Sequence, residues 1–207
     1  MFNKVMLLVC GRKSAYEEVF LGYTSAGVFL PVEKLRLKNG ELSVSPIQNF
    51  EGVLAIGTRG LRDIFKKCTG LTSVSFPALT SIGDYGLYET FSECTGLTSV
   101  SFPALTTVGS NGLNTAFRKC TGLTGSVSFP ALTTIGSRGL SYAFYECTGL
   151  TSVSFPALTS IGDYGLQNAF YGCTGLTKVH FPAALSGNSQ CTASKMQCTN
   201  ATVYFDL

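Results

Sequence analysis

The sequence predicts an α/β solenoid of about five coils, each of about 26 residues, with a β-rich cap at its N-terminal end. Two observations support this fold class. Twenty residues from Cys68 to Leu87, CTGLTSVSFPALTSIGDYGL, recur without a change from Cys147 to Leu166. In addition, Cys68, Cys94, Cys120, Cys147 and Cys173 follow one another at spacings of 26, 26, 27 and 26 residues. Self-similarity at a fixed period of about 20–50 residues is typical of solenoids, propellers and arrays.

The first half of each repeat is predicted to form a β-strand. Val74 and Phe76 alternate with Ser73 and Ser75, which is the two-residue period of a strand with one buried face. Pro77 ends the strand because proline lacks the N–H that would extend the ladder. We therefore expect the serines of this segment to face solvent in every coil.

The second half of each repeat is predicted to form a short helix, from Asp84 to Glu93 in the copy that begins at Cys68. Leu87 and Phe91 are four residues apart, so they would share one helical face. Asp84 stands where a helix N-cap is expected, and Ser110 and Ser137 hold that position in the next two copies. The strand and the helix should lie on opposite sides of each coil.

The chain is predicted to contain three segments, because one coil is too small to be stable without neighbours and the ends of a stack need caps. The segments are an N-terminal cap or anchoring segment at 1–49, the solenoid at 50–185 and a C-terminal cap at 186–207. Asn39-Gly40 predicts a hairpin turn in the first segment. Thr202 to Phe205 is predicted to be a final strand.

Charge and composition exclude several classes of function. The net charge is +3, and it divides into +4 for residues 1–67 and −1 for residues 68–207, so the repeats lack the basic stripe of a nucleic-acid-binding protein. The chain has one histidine and no C-x-x-C pair, so it lacks the ligands of the usual zinc sites. It also has no nucleotide-binding or hydrolase motif. We predict no enzyme activity, no catalytic residue, no metal and no cofactor.

The N-terminus and the cysteines bear on the cellular compartment. The apolar run from Val5 to Cys10 is too short for a signal-peptide core or a membrane span, so we predict neither in this chain. The periodic cysteines are predicted to be buried, reduced thiols that act as small hydrophobic residues. Cys191 and Cys198 could pair as a disulfide in an oxidising compartment only.

The repeat resembles the BspA-like leucine-rich repeat family. The residues that carry the resemblance are Leu-Thr-Ser-Val-Ser-Phe-Pro, then Leu-Thr-Ser-Ile-Gly-Asp, Phe and Cys-Thr-Gly, and they cover Phe50 to Leu185. The resemblance implies a bacterial protein, located at the cell surface or secreted, whose solenoid binds other macromolecules and has no catalytic residue or cofactor.

Two surfaces are candidates for ligand binding. The predicted helix segments carry Tyr88, Tyr142, Tyr145 and Tyr171, and the two copies that share twenty residues diverge over the six that follow them. Tyrosine offers a large contact area at low entropic cost, which favours these four side chains, although drift on an unconstrained surface would also produce divergence. On the strand, the serine ladder changes to Lys178 and His180 in the last repeat, which adds these two residues to the candidates.

Three functions stay open on this reading. The leading one is a non-enzymatic protein-binding or adhesion module, a cell-surface or host-interaction protein with a protein or glycan partner. The alternative is a structural or attachment component of a larger assembly such as a phage particle, which the separate N-terminal segment and the missing leader would suit. A hydrolase that uses acidic residues is a third hypothesis.

Overall fold

The computed structural model describes residues 4–6, 20–22, 28–29, 47–50 and 53–206 of the 207-residue chain, with side chains at residue 50 and at 53–206. The strands are β1 Lys4–Met6, β2 Phe20–Gly22, β3 Val28–Phe29, β4 Ile47–Asn49, β5 Ala55–Ile56, β6 Ser73–Ser75, β7 Ser81–Ile82, β8 Ser99–Ser101, β9 Thr107–Val108, β10 Gly125–Ser128, β11 Thr134–Ile135, β12 Leu150–Ser154, β13 Ser160–Ile161, β14 Lys178–Phe181 and β15 Thr202–Phe205. A 3-10 turn at Ala183–Leu185 and the helix α1 at Ala193–Met196 follow β14.

The predicted solenoid is confirmed by two rows of parallel strands that run along its length. The shorter strands β3, β5, β7, β9, β11 and β13 pair in chain order as one six-stranded sheet, one strand from each successive turn. The longer strands form a second row, in which β4, β6 and β8 make one sheet and β10, β12, β14 and β15 make another. The predicted strands at Ser73–Ser75 and Thr202–Phe205 are therefore present.

The interruption of the second row coincides with the one coil that has 27 residues. Gly125 is the extra residue, it has a φ of +75°, and the register with β12 shifts between Gly125 and Ser126. A positive φ is readily available to glycine, and an extra residue of this kind forms a β-bulge. The bulge absorbs the insertion, so the coils after it keep the same order of elements.

The predicted helix from Asp84 to Glu93 is wrong, because the chain makes a series of turns there. Every fourth residue has a left-handed backbone, with φ values of 56° at Tyr85, 53° at Glu89 and 63° at Glu93. Alternate N–H groups donate to carbonyls of the next coil, as from Leu87 to Gly112 O at 2.8 Å. The N–H groups between them donate three residues back, as from Tyr88 to Tyr85 O at 3.2 Å, so bonds that close turns alternate with bonds that join coils. We call each such stretch a turn segment.

The predicted N-caps also have a different role. The Asp84 carboxylate accepts a hydrogen bond from the Ser110 N–H of the next coil at 2.7 Å, and the Ser137 hydroxyl donates to the Asp163 carbonyl at 3.2 Å. Both contacts tie one coil to the next. Within the described residues the one α-helix is Ala193–Met196, between β14 and β15.

The core consists of two columns of phenylalanine rings. The column under the longer strands contains Phe50, Phe76, Phe102, Phe129, Phe155, Phe181 and Phe205, with neighbouring centroids 4.3–6.0 Å apart. The column under the turn segments contains Phe65, Phe91, Phe117, Phe144 and Phe170 at 5.3–5.9 Å. The two columns meet edge to face. Strand and turn segment therefore lie on opposite sides of the core.

The cysteines form a third buried column, as predicted. Cys68, Cys94, Cys120, Cys147 and Cys173 are free and buried. The Cys94 thiol donates to the Phe65 carbonyl at 3.0 Å, and the later cysteines repeat this contact with the preceding coil. Burial raises the pKa of the Cys120 thiol to about 12, so it stays protonated at neutral pH. Cys191 and Cys198 are free thiols as well.

The N-terminal segment is described only in part. β1 and β2 pair antiparallel with each other, whereas β3 and β4 pair in parallel with β5 and β6 of the solenoid. Asn39-Gly40 and residues 7–10 of the apolar run lie outside the described residues. Among the described residues there is no helix of the length and apolar character needed to cross a bilayer.

Candidate functional site

Three of the four predicted tyrosines come together on the outside of the turn segments, which we call the turn face. The rings of Tyr142 and Tyr145 have centroids 6.0 Å apart, and those of Tyr145 and Tyr171 stack at 4.9 Å with an interplanar angle of 10°. Tyr171 is 46% exposed, and the other two are half-buried. We call these three residues the tyrosine cluster.

The repeat itself positions the cluster. Tyr145 and Tyr171 hold the same place in consecutive coils, and Arg118 holds it one coil earlier, with its guanidinium carbon 5.5 Å from the Tyr145 centroid. The Tyr142 hydroxyl accepts a hydrogen bond from the Asn168 amide at 2.6 Å. These contacts hold the rings in place before any ligand arrives, which reduces the entropy lost on binding.

The acid-base state of Tyr145 is set by its neighbours. A hydrogen bond to the Glu146 carboxylate, followed by burial, raises the pKa of Tyr145 above its ordinary value. The phenol is therefore protonated at physiological pH and remains a hydrogen-bond donor. Arg118 acts in the opposite direction but is a smaller influence.

Tyr88 lies apart from the cluster, toward the N-terminal end of the turn face. Its ring contacts Tyr85 at 5.7 Å between centroids and has the Arg62 guanidinium 4.8 Å from its centre. Burial, followed by the charge of Glu89, raises the pKa of Tyr88. The structure thus places Tyr88 beside Tyr85 and among charged side chains, away from the other three predicted tyrosines.

Ion pairs occupy this N-terminal part of the turn face. Lys66 pairs with Glu89, Lys67 lies 3.9 Å from a Glu93 carboxylate oxygen, and Arg62 lies 3.2 Å from Asp63. All are partly exposed, so each contributes little to stability. Because acidic residues balance them, the basic side chains near residues 59–67 do not form the concentrated positive patch that phosphate binding needs.

Lys178 and His180, the two remaining candidates, lie on β14 on the opposite side of the solenoid. The His180 ring stacks on Tyr204 at 4.7 Å, and its Nδ1 is 3.0 Å from an Asp206 carboxylate oxygen. Both partners belong to the terminal strand region, so contacts with the next turn of the chain hold the histidine ring in place. The six predicted binding residues are consequently divided between two faces.

The serines of the longer strands face outward, as predicted, and form what we call the strand face. Ser101 and Ser128 are exposed, and the Ser154 hydroxyl donates to Ser128 Oγ at 2.9 Å. Threonines beside them bond the preceding coil, as when Thr98 Oγ1 donates to the Thr72 carbonyl at 2.9 Å. This hydroxyl-rich surface therefore contributes in part to the stacking of the coils.

Sequence reasoning missed the residues that hold the cluster in place. Arg118, Glu146 and Asn168 each contact one of its tyrosines. The signal was available, because Asn168 follows Tyr142 by 26 residues and the coil spacing brings such pairs side by side. Among the described residues no group of three or more His, Cys, Asp or Glu side chains is arranged to hold a metal ion.

These features define the class of the protein as a repeat solenoid whose coils stack through parallel strands, with one variable outer face. The family model described as "BspA type Leucine rich repeat region" matches residues 61–186 and 140–203 in six copies. The match covers more than half of the chain. The chain therefore belongs to this leucine-rich repeat family, as its resemblance indicated.

Solved structures of bacterial leucine-rich repeat proteins are similar to this chain. The Leucine Rich Repeat protein of T. pallidum, TpLRR, is 25% identical over 75% of this chain and 64% of its own length, with a TM-score of 0.50. A leucine-rich repeat protein from Bacteroides ovatus is 25% identical over 77% of this chain and 36% of its own, with a TM-score of 0.49.

A leucine rich cell surface protein from Faecalibacterium prausnitzii is 21% identical over 80% of this chain and 38% of its own length, with a TM-score of 0.48. The chain therefore spans less than two thirds of the length of each of these proteins. No curated protein matches the chain.

Proposed function

We propose that the protein is a non-enzymatic binding module that recognises a protein partner with the tyrosine cluster of its turn face. The observation that carries the proposal is the stacked pair Tyr145 and Tyr171, which is fixed by Arg118 on one side and open to solvent at Tyr171. Tyrosine and arginine are enriched among the residues that dominate protein interfaces.

The N-terminal part of the turn face is a less suitable binding surface, which supports the choice of the tyrosine cluster. At its N-terminal end, charged side chains already satisfy one another, as Lys66 does with Glu89 and Lys67 with Glu93. A partner would have to break or desolvate such pairs for little gain in free energy. The cluster instead presents the stacked rings of Tyr145 and Tyr171, whose apolar faces carry no charge to desolvate.

We further propose that the module acts at the bacterial cell surface as an adhesion or host-interaction protein. Its membership of a repeat family of bacterial surface-type proteins supports this location. A solenoid suits the role, since each added coil extends the same scaffold while the outer side chains change from coil to coil.

Retention of the purified, biotinylated chain on cultured epithelial cells, measured by flow cytometry, tests the proposal. The triple variant Tyr142→Ser, Tyr145→Ser, Tyr171→Ser is expected to lose roughly tenfold or more of its apparent affinity, as the loss of interface hot spots would. Treating the cells with a protease beforehand should abolish retention if the partner is a protein.

The matched control alters the strand face to the same extent. The variant Ser101→Gln, Ser128→Gln, Ser154→Gln should bind like the unaltered chain. If this control loses binding while the tyrosine variant keeps it, the partner lies on the strand face and the proposal fails.

A further inference from the structure

Charged side chains of alternating sign lie at the position just before each periodic cysteine. They are Lys67, Glu93, Lys119 and Glu146, and we call them the charge row. The row lines an open groove of about 380 Å³, together with the exposed threonines two residues further along each coil, such as Thr95. The four charged side chains are 32–67% exposed, so a partner in solution can reach them.

The backbone repeats the same geometry along the charge row. All four residues have a left-handed backbone with φ between 57° and 65°. The N–H group of each donates to a carbonyl of the next coil at 2.7–2.8 Å. Phenylalanine rings in the same turn segments follow one another at 5.3–5.5 Å, so the charges are attached at a similar spacing. The row is therefore a preformed array whose side chains start from equivalent points.

Neighbouring charges of the row attract one another without forming hydrogen bonds. Lys67 Nζ lies 3.9 Å from a Glu93 carboxylate oxygen, and Lys119 Nζ lies 3.9 Å from a Glu146 carboxylate oxygen. Glu93 is also 3.6 Å from Arg118. An N–H···O hydrogen bond is shorter, about 2.7–3.2 Å. Because an ammonium group has several N–H donors and a carboxylate several acceptor positions, each group can contact a further opposite charge while it keeps its neighbour.

The order of the charges is complementary to its own reverse. When two charge rows face each other antiparallel, Lys67 lies opposite Glu146, and Glu93 lies opposite Lys119. All four contacts across the interface then join opposite charges, whereas a parallel arrangement would place each charge opposite its own equivalent. A fifth alternating charge would make the row read the same in both directions and would end this complementarity. The fifth coil has the uncharged Gly172 at this position, so the number of charges stays even.

We propose that the charge row is a dimer interface, at which a second molecule of this chain docks antiparallel through its own charge row. A two-fold axis perpendicular to the row generates this arrangement, and two-fold dimers are the commonest oligomers of soluble proteins. The exposed threonines beside the row are small and uncharged, so they allow the two molecules to approach closely. The inference does not rest on protein recognition by the tyrosine cluster.

A second molecule of this chain differs from a partner of unrelated sequence in what it asks of these charges. An unrelated surface would have to separate or desolvate the existing ion pairs, as Lys67 with Glu93. In the antiparallel dimer each charge keeps its neighbour and gains an opposite charge in return for lost water contacts. Exposed ion pairs contribute little each and the row spans four coils, so we expect a weak dimer with a dissociation constant on the order of 100 μM.

Sedimentation velocity on the full chain tests the dimer, over protein concentrations that bracket this dissociation constant. Runs at about 0.01 M and about 1 M salt compare screening lengths of about 30 Å and about 3 Å. The chain should dimerise at low salt, and high salt should weaken the dimer by roughly tenfold or more. Lys67→Glu and Glu146→Lys should each weaken it to a similar extent at low salt, because the reversed charge meets a like charge at both ends of the interface.

A mixture of the two variants separates antiparallel pairing from other causes. When Lys67→Glu and Glu146→Lys chains are mixed in equal amounts, the two reversed charges lie opposite each other, and association should return. Misfolded variants would not regain it. Arg138→Glu is the matched control, since it changes the net charge as Lys67→Glu does at an exposed residue that does not line the groove. This control should dimerise like the unaltered chain.

Three results would overturn the inference. One is a chain that stays monomeric at low salt, a second is a dimer that neither salt nor the charge reversals weaken, and a third is a mixture that stays monomeric after each variant has lost the dimer. If the chain is monomeric but Lys67→Glu reduces retention on epithelial cells, the charge row binds a different partner and the dimer is excluded. Sedimentation involves no cells, so this inference and recognition by the tyrosine cluster can each fail alone.

Discussion

The turn segments at Asp84–Glu93 and Asp163–Gly172 share one backbone but have different surfaces. Their left-handed residues have closely similar φ values, 53° at Glu89 and 52° at Asn168, and their central phenylalanines are both buried. Yet one segment presents carboxylates that pair with lysines, and the other presents an exposed tyrosine and amides. Backbone bonds between coils and a buried residue at every fourth position determine the shape, so the outward side chains are free to differ.

The largest expected effect comes from the core that both segments share. Phe91→Ala should lower the free energy of unfolding by about 3–5 kcal/mol, because the ring is fully buried and stacks between Phe65 and Phe117. Phe170→Ala should cost less, since its ring stacks on Phe144 at one side only among the described residues. Urea unfolding of both variants measures the difference, and equal losses would contradict the column as the source of stability.

Because the buried thiols are protonated in the folded chain, the free energy of unfolding should decrease as the pH becomes alkaline. The pKa of Cys120 is raised from 9.0 to about 12 in the folded chain, so the unfolded chain loses this proton first as the pH rises. The thiol's contribution is thus complete below pH 9 and is lost between about pH 9 and 12, at about 1.4 kcal/mol per pH unit.

Chemical unfolding at several pH values compares the unaltered chain with Cys120→Ala. The variant should be less stable at pH 7 because of the cavity it creates, and its stability should fall less steeply above pH 9. Parallel curves for the two proteins would show that Cys120 ionises in the folded chain and is not buried as described.

The left-handed positions distinguish the turn segments from helices. Thr115 has a φ of 54°, which is unfavourable for a β-branched residue, whereas asparagine tolerates this conformation. Thr115→Asn should therefore raise the free energy of unfolding by about 0.5–1 kcal/mol. If the segment were helical, asparagine would bring no gain there, and an unchanged or lower melting temperature would favour the helix.

The smallest effect is expected from the ion pairs of the N-terminal half. Glu89→Gln removes the partner of Lys66, and both side chains are partly exposed. The loss should stay below about 1 kcal/mol and shrink further in high salt. A loss of several kcal/mol would mean that these charges, and not the shared backbone, hold the segment in place.

Much of the fold could be predicted from the sequence. The spacing of about 26 residues indicates a solenoid, and the alternation of Val74 and Phe76 with serines indicates a strand. The turn segments could not be predicted, since Leu87 and Phe91 are spaced four apart both in a helix and in a run of four-residue turns. Only the bonds between coils, such as that from Leu87 to Gly112, distinguish the two arrangements. The spacing of apolar residues within one repeat therefore did not reveal the hydrogen bonds between neighbouring repeats.

The candidate site could be predicted only in part, again because contacts between coils cannot be seen within one repeat. Divergence between copies pointed to the turn face, but the contacts that collect Tyr142, Tyr145 and Tyr171 run between coils. His180 likewise lies beside Asp206, which follows it by the same 26-residue step that aligns the coils. Comparing each residue with its neighbours one period away would have found these partners.

The central claim is that the scaffold and the surface chemistry are separable, and one chimera tests it directly. Residues Gln167–Tyr171 are replaced by the sequence of Tyr88–Ser92, which supplies the same buried phenylalanine, removes Tyr171 and keeps Gly172, where a Cβ would lie 2.9 Å from Glu146 Cγ. The account predicts a free energy of unfolding within about 1 kcal/mol of the unaltered chain, together with at least a roughly tenfold loss of retention on epithelial cells. A chimera that unfolds, or one that still binds as well as the unaltered chain, would contradict it.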